Sequence, residues 1–394
     1  MSEFDRTYDV AIVGAGPAGS STAIRLAEAG LSVLLVEKAK YPREKLCGEF
    51  ISPECLIHFK ELGVMGEMLD AAGTALTKTT FYGRGGNGIS IESSWFGVPG
   101  SYAMGLSRGE MDNNLLKRAL SLGVDVRQEI SVSGPSVGDN RVNGIRIMGH
   151  GNDEVNVQSK ITLDATGRSR ILAKRFEPSE TRTAARFVAF KTHLRGARLA
   201  DGTCEIYAYR GGYGGCNAVE NGLFNLCFIA TAGDTKRLES DPERVMREVV
   251  FINSRAAEAL EDATIEKPWL AVPIQRFGRG DLVPANGLLT VGDAAAFIDP
   301  FTGSGMLLAL ESAKIASSAI IDHFRFQTDF NSLKLDYSRR YSSAFDRRLR
   351  VCSFLRYAAF VPFLAETTIS ALGYSTALRR TLARATRSNA ERHV

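Results

Sequence analysis

The sequence predicts an α/β fold: a Rossmann-like domain interrupted by an inserted antiparallel β-sheet and followed by a helical C-terminal tail. Three observations predict it. Residues 8–38 read strand, glycine turn, helix, strand, acid. Residues 187–275 carry short alternating strands around one helical stretch. A strand ending in Gly292-Asp293 then returns to the first pattern, ahead of a long apolar helix. The expected division is 1–178 for the first part of the Rossmann-like domain, with a β-rich insert near 75–104; 179–276 for the inserted sheet; 277–330 for the second part; and 331–394 for the tail.

In the first stretch, Val10 to Val13 is an apolar strand, and Gly14, Gly16 and Gly19, with Pro17 and Ala18 between them, form a G-x-G-x-x-G turn. Gly14 permits the tight turn, Gly16 lets backbone N–H groups approach a pyrophosphate, and Gly19 lets the helix pack on the strand. The positive helix end then faces the phosphates. The second strand, Ser32 to Val36, ends at Glu37 and Lys38. A carboxylate there accepts hydrogen bonds from an adenosine ribose and repels a 2′-phosphate, which disfavours NADP as this site's ligand.

Composition sets the bounds. A chain of 394 residues with 44% apolar and 23% charged residues is an ordinary globular protein of two or three domains. Its six cysteines lack metal-binding spacing, and no signal peptide or membrane span is read from it, so a reduced, cytoplasmic protein is expected. The net charge of +4 is unevenly spread: from Arg339 onward eleven arginines face three acids, which leaves the preceding body mildly acidic. No nucleic-acid module is visible in the body.

The loop after Glu37 runs toward the far end of a bound dinucleotide, and topology places Lys45, Cys47 and Gly48 to reach it. Most free cysteines are small buried residues, and packing is the alternative for Cys47. Pro53 to Leu62 reads as a helix. Thr79 to Tyr82 and Gly88 to Ile91 read as strands. Arg108 stands at the mouth of a helix over Met111 to Leu122, where it suits a phosphate or else a solvated surface. A β-meander over 130–163, with turns at Gly138 to Asn140 and Gly149 to Asp153, leads into Asp164-Ala165-Thr166-Gly167-Arg168-Ser169. In the inserted region strands are expected at Phe187 to His193, Thr203 to Tyr209, Leu223 to Ala230 and Trp269 to Gln275, with helices at Pro242 to Ser254 and Arg255 to Leu260. After strand Leu288 to Val291, Asp293 lies at the carboxyl edge of the sheet, where ligands bind in open α/β folds. A loop with Pro300, Gly303, Ser304 and Gly305 then opens the helix Met306 to Ile320, whose free N–H groups suit an anion or an electron-rich ring edge.

GAGPAG with Glu37, the KLCGE loop, Arg108 with Asp112, DATGRS and GDAAAFIDPFTGSGM, in this order, resemble the FAD-dependent oxidoreductases of the aromatic-hydroxylase fold, and among them the geranylgeranyl-reductase-like branch. The likeness spans about residues 6–325. It implies a Rossmann-like FAD-binding domain with an inserted substrate sheet. It further implies that Gly14 to Gly19 hold the pyrophosphate, Glu37 the ribose, Arg108 the outer side of the cofactor, Asp293 the ribityl chain and Gly303 to Met306 the flavin's pyrimidine edge. Lys38, Lys45 and Gly167 fall within the same motifs. Cys47 and Gly48 match the pair that lies beside the isoalloxazine in the reductase branch.

The chain departs from that branch where polyprenyl reductases carry Y-x-W-x-F-P. It reads Gly212-Tyr213-Gly214-Gly215-Cys216-Asn217, which places a long isoprenoid substrate in doubt. Halogenases of this fold carry W-x-W-x-I-P and a lysine, whereas this chain has only Trp95 and Trp269, so a halogenase is not expected. The resulting reading is an FAD enzyme, with NADH or NADPH as electron donor, acting on a hydrophobic small molecule. Its chemistry is either hydride transfer to a double bond or oxygenation. Cys47, Tyr213 and residues near Trp95 or Phe96 line the pocket in this reading, and Cys47 is its catalytic candidate. An acidic carrier protein or an anionic membrane surface is the partner expected of the basic tail, whose arginines flank the apolar segment Leu355 to Leu372; a solvated covering helix is the alternative.

Overall fold

The computed structural model describes residues 6–71, 73–96, 100–148, 153–177, 184–274, 277–297, 303–360 and 375–385, with the backbone alone at 351–360, 378 and 382–385. Among them, two large sheets face each other across a cavity.

The first sheet has seven strands. Its spatial order is Asp125–Arg127, Val33–Val36, Tyr8–Val13, Glu154–Asp164, Arg141–Met148 and Val132–Gly138, with Leu288–Thr290 also beside Glu154–Asp164. The 11-residue strand Glu154–Asp164 does double duty. Its first half pairs antiparallel with Arg141–Met148, which completes the expected meander; its second half pairs parallel with Tyr8–Val13 and Leu288–Thr290. Of the meander's turns, residues 149–152 lie outside the described residues. Val33–Val36 and Leu288–Thr290 are buried throughout, as parallel strands covered on both faces require. The covering helices Pro17–Glu28, Arg108–Ser121 and Gly305–Phe326 share one apolar core.

The second sheet runs Thr264–Ile265, Phe187–Arg195, Phe224–Thr231, Gly212–Ala218, Thr203–Tyr209, Lys78–Tyr82 and Gly88–Glu92, with Leu270–Ile274 also on Phe187–Arg195. Two expectations are corrected here. The hairpin at 78–92 is not an insert of the first domain but two strands of this sheet. The sheet is also not wholly antiparallel, since Lys78–Tyr82 pairs parallel with Thr203–Tyr209. Period-two alternation reveals a strand but not its neighbour. Gly212–Ala218, read only as a motif, is a strand as well. Its glycines fit because backbones and side chains crowd them: a Cβ on Gly212 would collide with the Ile229 carbonyl.

Helices Pro242–Val249 and Ser254–Leu260 cover one face of this sheet and pack on Phe190, Tyr207 and Phe228. The first helix ends earlier than expected, because Asn253 caps the second by accepting from Arg255 N and Ala256 N, both at 3.1 Å. The other face of the sheet roofs the cavity.

The long helix Phe330–Phe360 is built into the fold. Tyr337, Tyr341 and Phe345 are fully buried in the first core. Tyr337 donates to the Thr290 carbonyl at 2.6 Å, and Arg348, buried, pairs with Glu311 at 2.7 Å. The short helix Thr376–Ala385 reaches the edge of the roof, where Arg379 donates to the Ser90 carbonyl at 3.0 Å and lies over the Trp95 ring. Arg348 and Arg379 are therefore engaged within the molecule, while Arg347, Arg350 and Arg380 are exposed. Most of the apolar segment Leu355 to Leu372 lies outside the described residues. Among the described residues no helix is long and apolar enough to cross a membrane.

Candidate functional site

The cavity between the carboxyl edge of the parallel strands and the open face of the roof measures about 1370 Å³. That exceeds the several hundred Å³ typical of a single small-ligand pocket.

At one end is the glycine turn. Gly14 has φ +101°, and a Cβ there would meet the Ala165 carbonyl oxygen at 2.5 Å. A Cβ on Gly16 would meet only the guanidinium nitrogens of Arg108 and Arg43, at 3.8 and 4.0 Å. Helix Pro17–Glu28 begins there without a side-chain cap, so its first N–H groups point at this space. Pro17 and Ala18 line the cavity, as does Lys38. Glu37 is buried; its two oxygens accept from Ala15 N and Ala39 N, each at 3.0 Å.

Arg43, which sequence reasoning passed over, bonds Tyr41 Oη at 2.7 Å and stands 3.6 Å from Glu37. Its Nη1 is buried and makes no hydrogen bond, although Asp112 lies 3.4 Å away. Arg108 is not the solvated residue that was one alternative. It opens helix Arg108–Ser121, whose cap Ser107 accepts from Glu110 N, and holds Asp112 through two bonds of 2.8 and 2.7 Å. Burial opposes its charge, but Asp112 and Cys47 outweigh burial and raise its pKa.

Farther along, Asp293 sits in the turn Gly292–Ala294. Burial raises its pKa against the pull of Arg168, Arg108 and Lys45. Desolvation by the cavity wall, with Arg43 and Arg108, lowers that of Lys45, although its side chain keeps access to solvent. Gly167 has φ +66°, and its Cβ position lies 3.9 Å from the Asp293 Cβ. Asp164 in the same motif is structural: it accepts from Thr166, Leu172 and Ala173 and so fixes the turn that carries Gly167. Gly303 has φ +59° and packs by Phe50; Ser304 is buried; Gly305 and Met306 open the second helix on the cavity. Pro300 lies outside the described residues.

Cys47 lines the same cavity, half-buried, and accepts from Glu49 N at 3.4 Å. A Cβ on Gly48 would meet no protein atom within 4 Å. Tyr213 is buried on the roof in a cluster with Ala189, Ile229 and Ile274, and Phe96 lines the cavity's apolar end. Trp95 instead faces Arg379.

The residues fit FAD. An uncapped helix start, the Arg43 donor that makes no hydrogen bond and the half-buried Asp293 carboxyl lie along one cavity, as a long cofactor with a diphosphate requires.

Sequence reasoning missed a buried charge cluster beside Cys47. Glu49 accepts Lys191 Nζ at 2.9 Å and Arg108 N at 2.9 Å on one oxygen, and holds His193 Nε2 at 2.6 Å on the other. Lys191 Nζ also donates to Glu44 at 2.7 Å. With Glu49 as a carboxylate, which only accepts, His193 Nε2 is the donor of this bond. Burial lowers the Lys191 pKa, but Glu49 and Glu44 more than reverse this. The oxygens of Glu44 and Glu49 and a ring nitrogen of His193 lie close enough to ligate an ion. The Lys191 ammonium already occupies the cation's place between the two carboxylates. The available signal was Lys191 and His193 two apart in a strand, hence on one face.

Residues 7–342 match the model of the FAD binding domain family. The chain belongs to that family. It is an FAD-dependent oxidoreductase, and its resemblance to the geranylgeranyl-reductase-like branch holds in its relatives. It is 29% identical over 324 residues to the digeranylgeranylglycerophospholipid reductase of Methanosarcina mazei, covering 79% of this chain and 74% of that protein. It is 27% identical over 351 residues to the 1H-pyrrole-2-carbonyl-[peptidyl-carrier protein] chlorinase of Pseudomonas fluorescens, covering 81% and 76%. In fold it is similar to a geranylgeranyl bacteriochlorophyll reductase-like protein of Thermoplasma acidophilum, with a TM-score of 0.79 at 20% identity over 97% of this chain and 96% of the other. A flavin-dependent brominase gives 0.80 at 20% identity over 97% and 93%. Halogenases thus stand among the similar proteins, and the expectation against one rests on the missing sequence motif alone.

Proposed function

We propose that this flavoprotein reduces an activated double bond in a hydrophobic small molecule held between the flavin and the roof sheet. The observation that carries the reading is Cys47: a half-buried thiol on the cavity wall, beside Arg108 and opposite an apolar sheet face. Bound FAD would supply the hydride, with NADH or NADPH as the donor that reloads it. Gly14 to Gly19 and Arg43 would hold the pyrophosphate, Glu37 the ribose, Asp293 the ribityl chain, and Gly303 to Met306 the ring edge. The Cys47 thiol would give its proton to the carbon opposite the hydride. Tyr213, Ala189 and Ile229 would exclude water from that carbon. The division at 178, 276 and 330 belongs to this reading, with 78–92 assigned to the roof.

Oxygenation or halogenation is the second reading, favoured by the chlorinase relative; a carrier-bound substrate would come with it. Stopped-flow kinetics of Cys47→Ser separate the readings. Under the first, the variant retains FAD and is reduced normally, while reoxidation by an alkene substrate without oxygen slows roughly a hundredfold. Unchanged reoxidation removes Cys47 from the chemistry. Reoxidation that needs both oxygen and substrate moves the enzyme to the second reading.

A further inference from the structure

Glu49 combines three features that packing alone does not require. It is fully buried, yet it has φ +50°, a left-handed conformation that costs a residue with a Cβ. Its carboxylate is gripped by three donors, Lys191 Nζ, His193 Nε2 and Arg108 N. Its own amide points back two residues to the Cys47 sulfur at 3.4 Å. The loop is held on the roof side too. Asn225 Nδ2 donates to the Cys47 carbonyl at 3.2 Å, and Asn217 Nδ2 to the Glu49 carbonyl at 3.4 Å.

Buried charges of this kind are expensive, and their best-attested use is to impose one arrangement on the chain. Here the arrangement imposed is the turn. Lys191 and His193 come from the strand Phe187–Arg195, and Arg108 from a helix of the cofactor-binding part, so Glu49 ties the Cys47 loop to both sides of the cavity.

We propose that Glu49 is the positioning residue for Cys47: the grip of Lys191 and His193 on its carboxylate holds the left-handed turn that aims its amide at the sulfur. This rests on the reading of Cys47 as a participant in the reaction.

Two substitutions separate the turn from the charge. Glu49→Ala and Glu49→Gly both delete the carboxylate and take the same partner from Lys191 and His193, leaving Glu44 on Lys191 in each, but only glycine adopts positive φ without cost. The probe is iodoacetamide on the FAD-loaded protein at fixed pH, with Cys47 modification followed by peptide mass and FAD content and thermal midpoint recorded alongside. Alkylation requires the sulfur to be presented to the cavity, and the turn at Glu49, whose amide lies 3.4 Å from the sulfur, is what presents it. Glu49→Gly should therefore alkylate at least about threefold faster than Glu49→Ala, and Lys191→Met should fall with the alanine variant. Equal rates in the alanine and glycine variants, or a faster alanine variant, overturn the proposal. If Glu49→Ala fails to fold, Lys191→Met against the parent decides: a Cys47 rate within twofold of the parent overturns it. Because alkylation scores the thiol and not turnover, a negative result leaves the reductase reading standing, and a failure of that reading appears in the stopped-flow experiment instead.

Discussion

The carbonyl oxygen of Gly14 fills the place where a side chain on Gly19 would begin. The turn and the first helix are thereby locked together with no room for a methyl group. Gly19→Ala should cost roughly 2–3 kcal/mol of stability by overpacking, with FAD retention falling in parallel. Urea unfolding with and without added FAD checks this. An unchanged midpoint would mean the helix can move away.

Asp293 is a half-buried carboxyl on the cavity wall with no part in the apolar core. Asp293→Ala should leave the fold intact and weaken FAD binding by roughly 10- to 100-fold, the range of a charge-assisted hydrogen bond. Fluorescence titration of the apoprotein with FAD measures it. Full flavin retention would displace Asp293 from the proposed ribityl contact.

Burial lowers the pKa of His58 to about 4; Glu61, which pulls it up, is the next influence. The unfolded chain, near 6.5, therefore takes up this proton first as pH falls. The stability from His58 is complete above about 6.5 and is lost as pH falls toward about 4. About 2 kcal/mol should disappear between pH 7 and pH 5, and His58→Gln should lack that part of the loss. Urea midpoints of both proteins at the two pH values test the sign and the size.

Deleting residues 376–394 removes Arg379 from Ser90 and Trp95. FAD content should hold while Trp95 emission shifts to the red. If the remaining arginines also meet an anionic surface, vesicle binding at low salt should fall by about 1 kcal/mol for each arginine lost. Equal vesicle binding by both chains would leave this helix the single role of covering the roof's edge.

The glycine turn and the strands and helix around it were legible because their determinants are local. Gly14, Gly16, Gly19 and Glu37 lie within one short segment, and each answers to one constraint of backbone space or charge. The roof was legible strand by strand but not in its order, since nothing in Lys78–Tyr82 announces Thr203–Tyr209 as its neighbour. The cluster around Glu49 stayed hidden for a related reason. Its members come from a loop and from a strand about 140 residues away, as the Glu49–His193 pair illustrates. A lysine in an alternating strand ordinarily faces water, and only the fold reveals that this one faces two glutamates.

Strand Leu288–Thr290 joins the first sheet on Thr162–Asp164 only after six of the roof's eight strands have intervened in the chain. Its carbonyl at Thr290 is in turn braced by Tyr337. During synthesis, then, the phosphate-binding turn emerges early but its cradle stays open until residues beyond Met306 have left the ribosome.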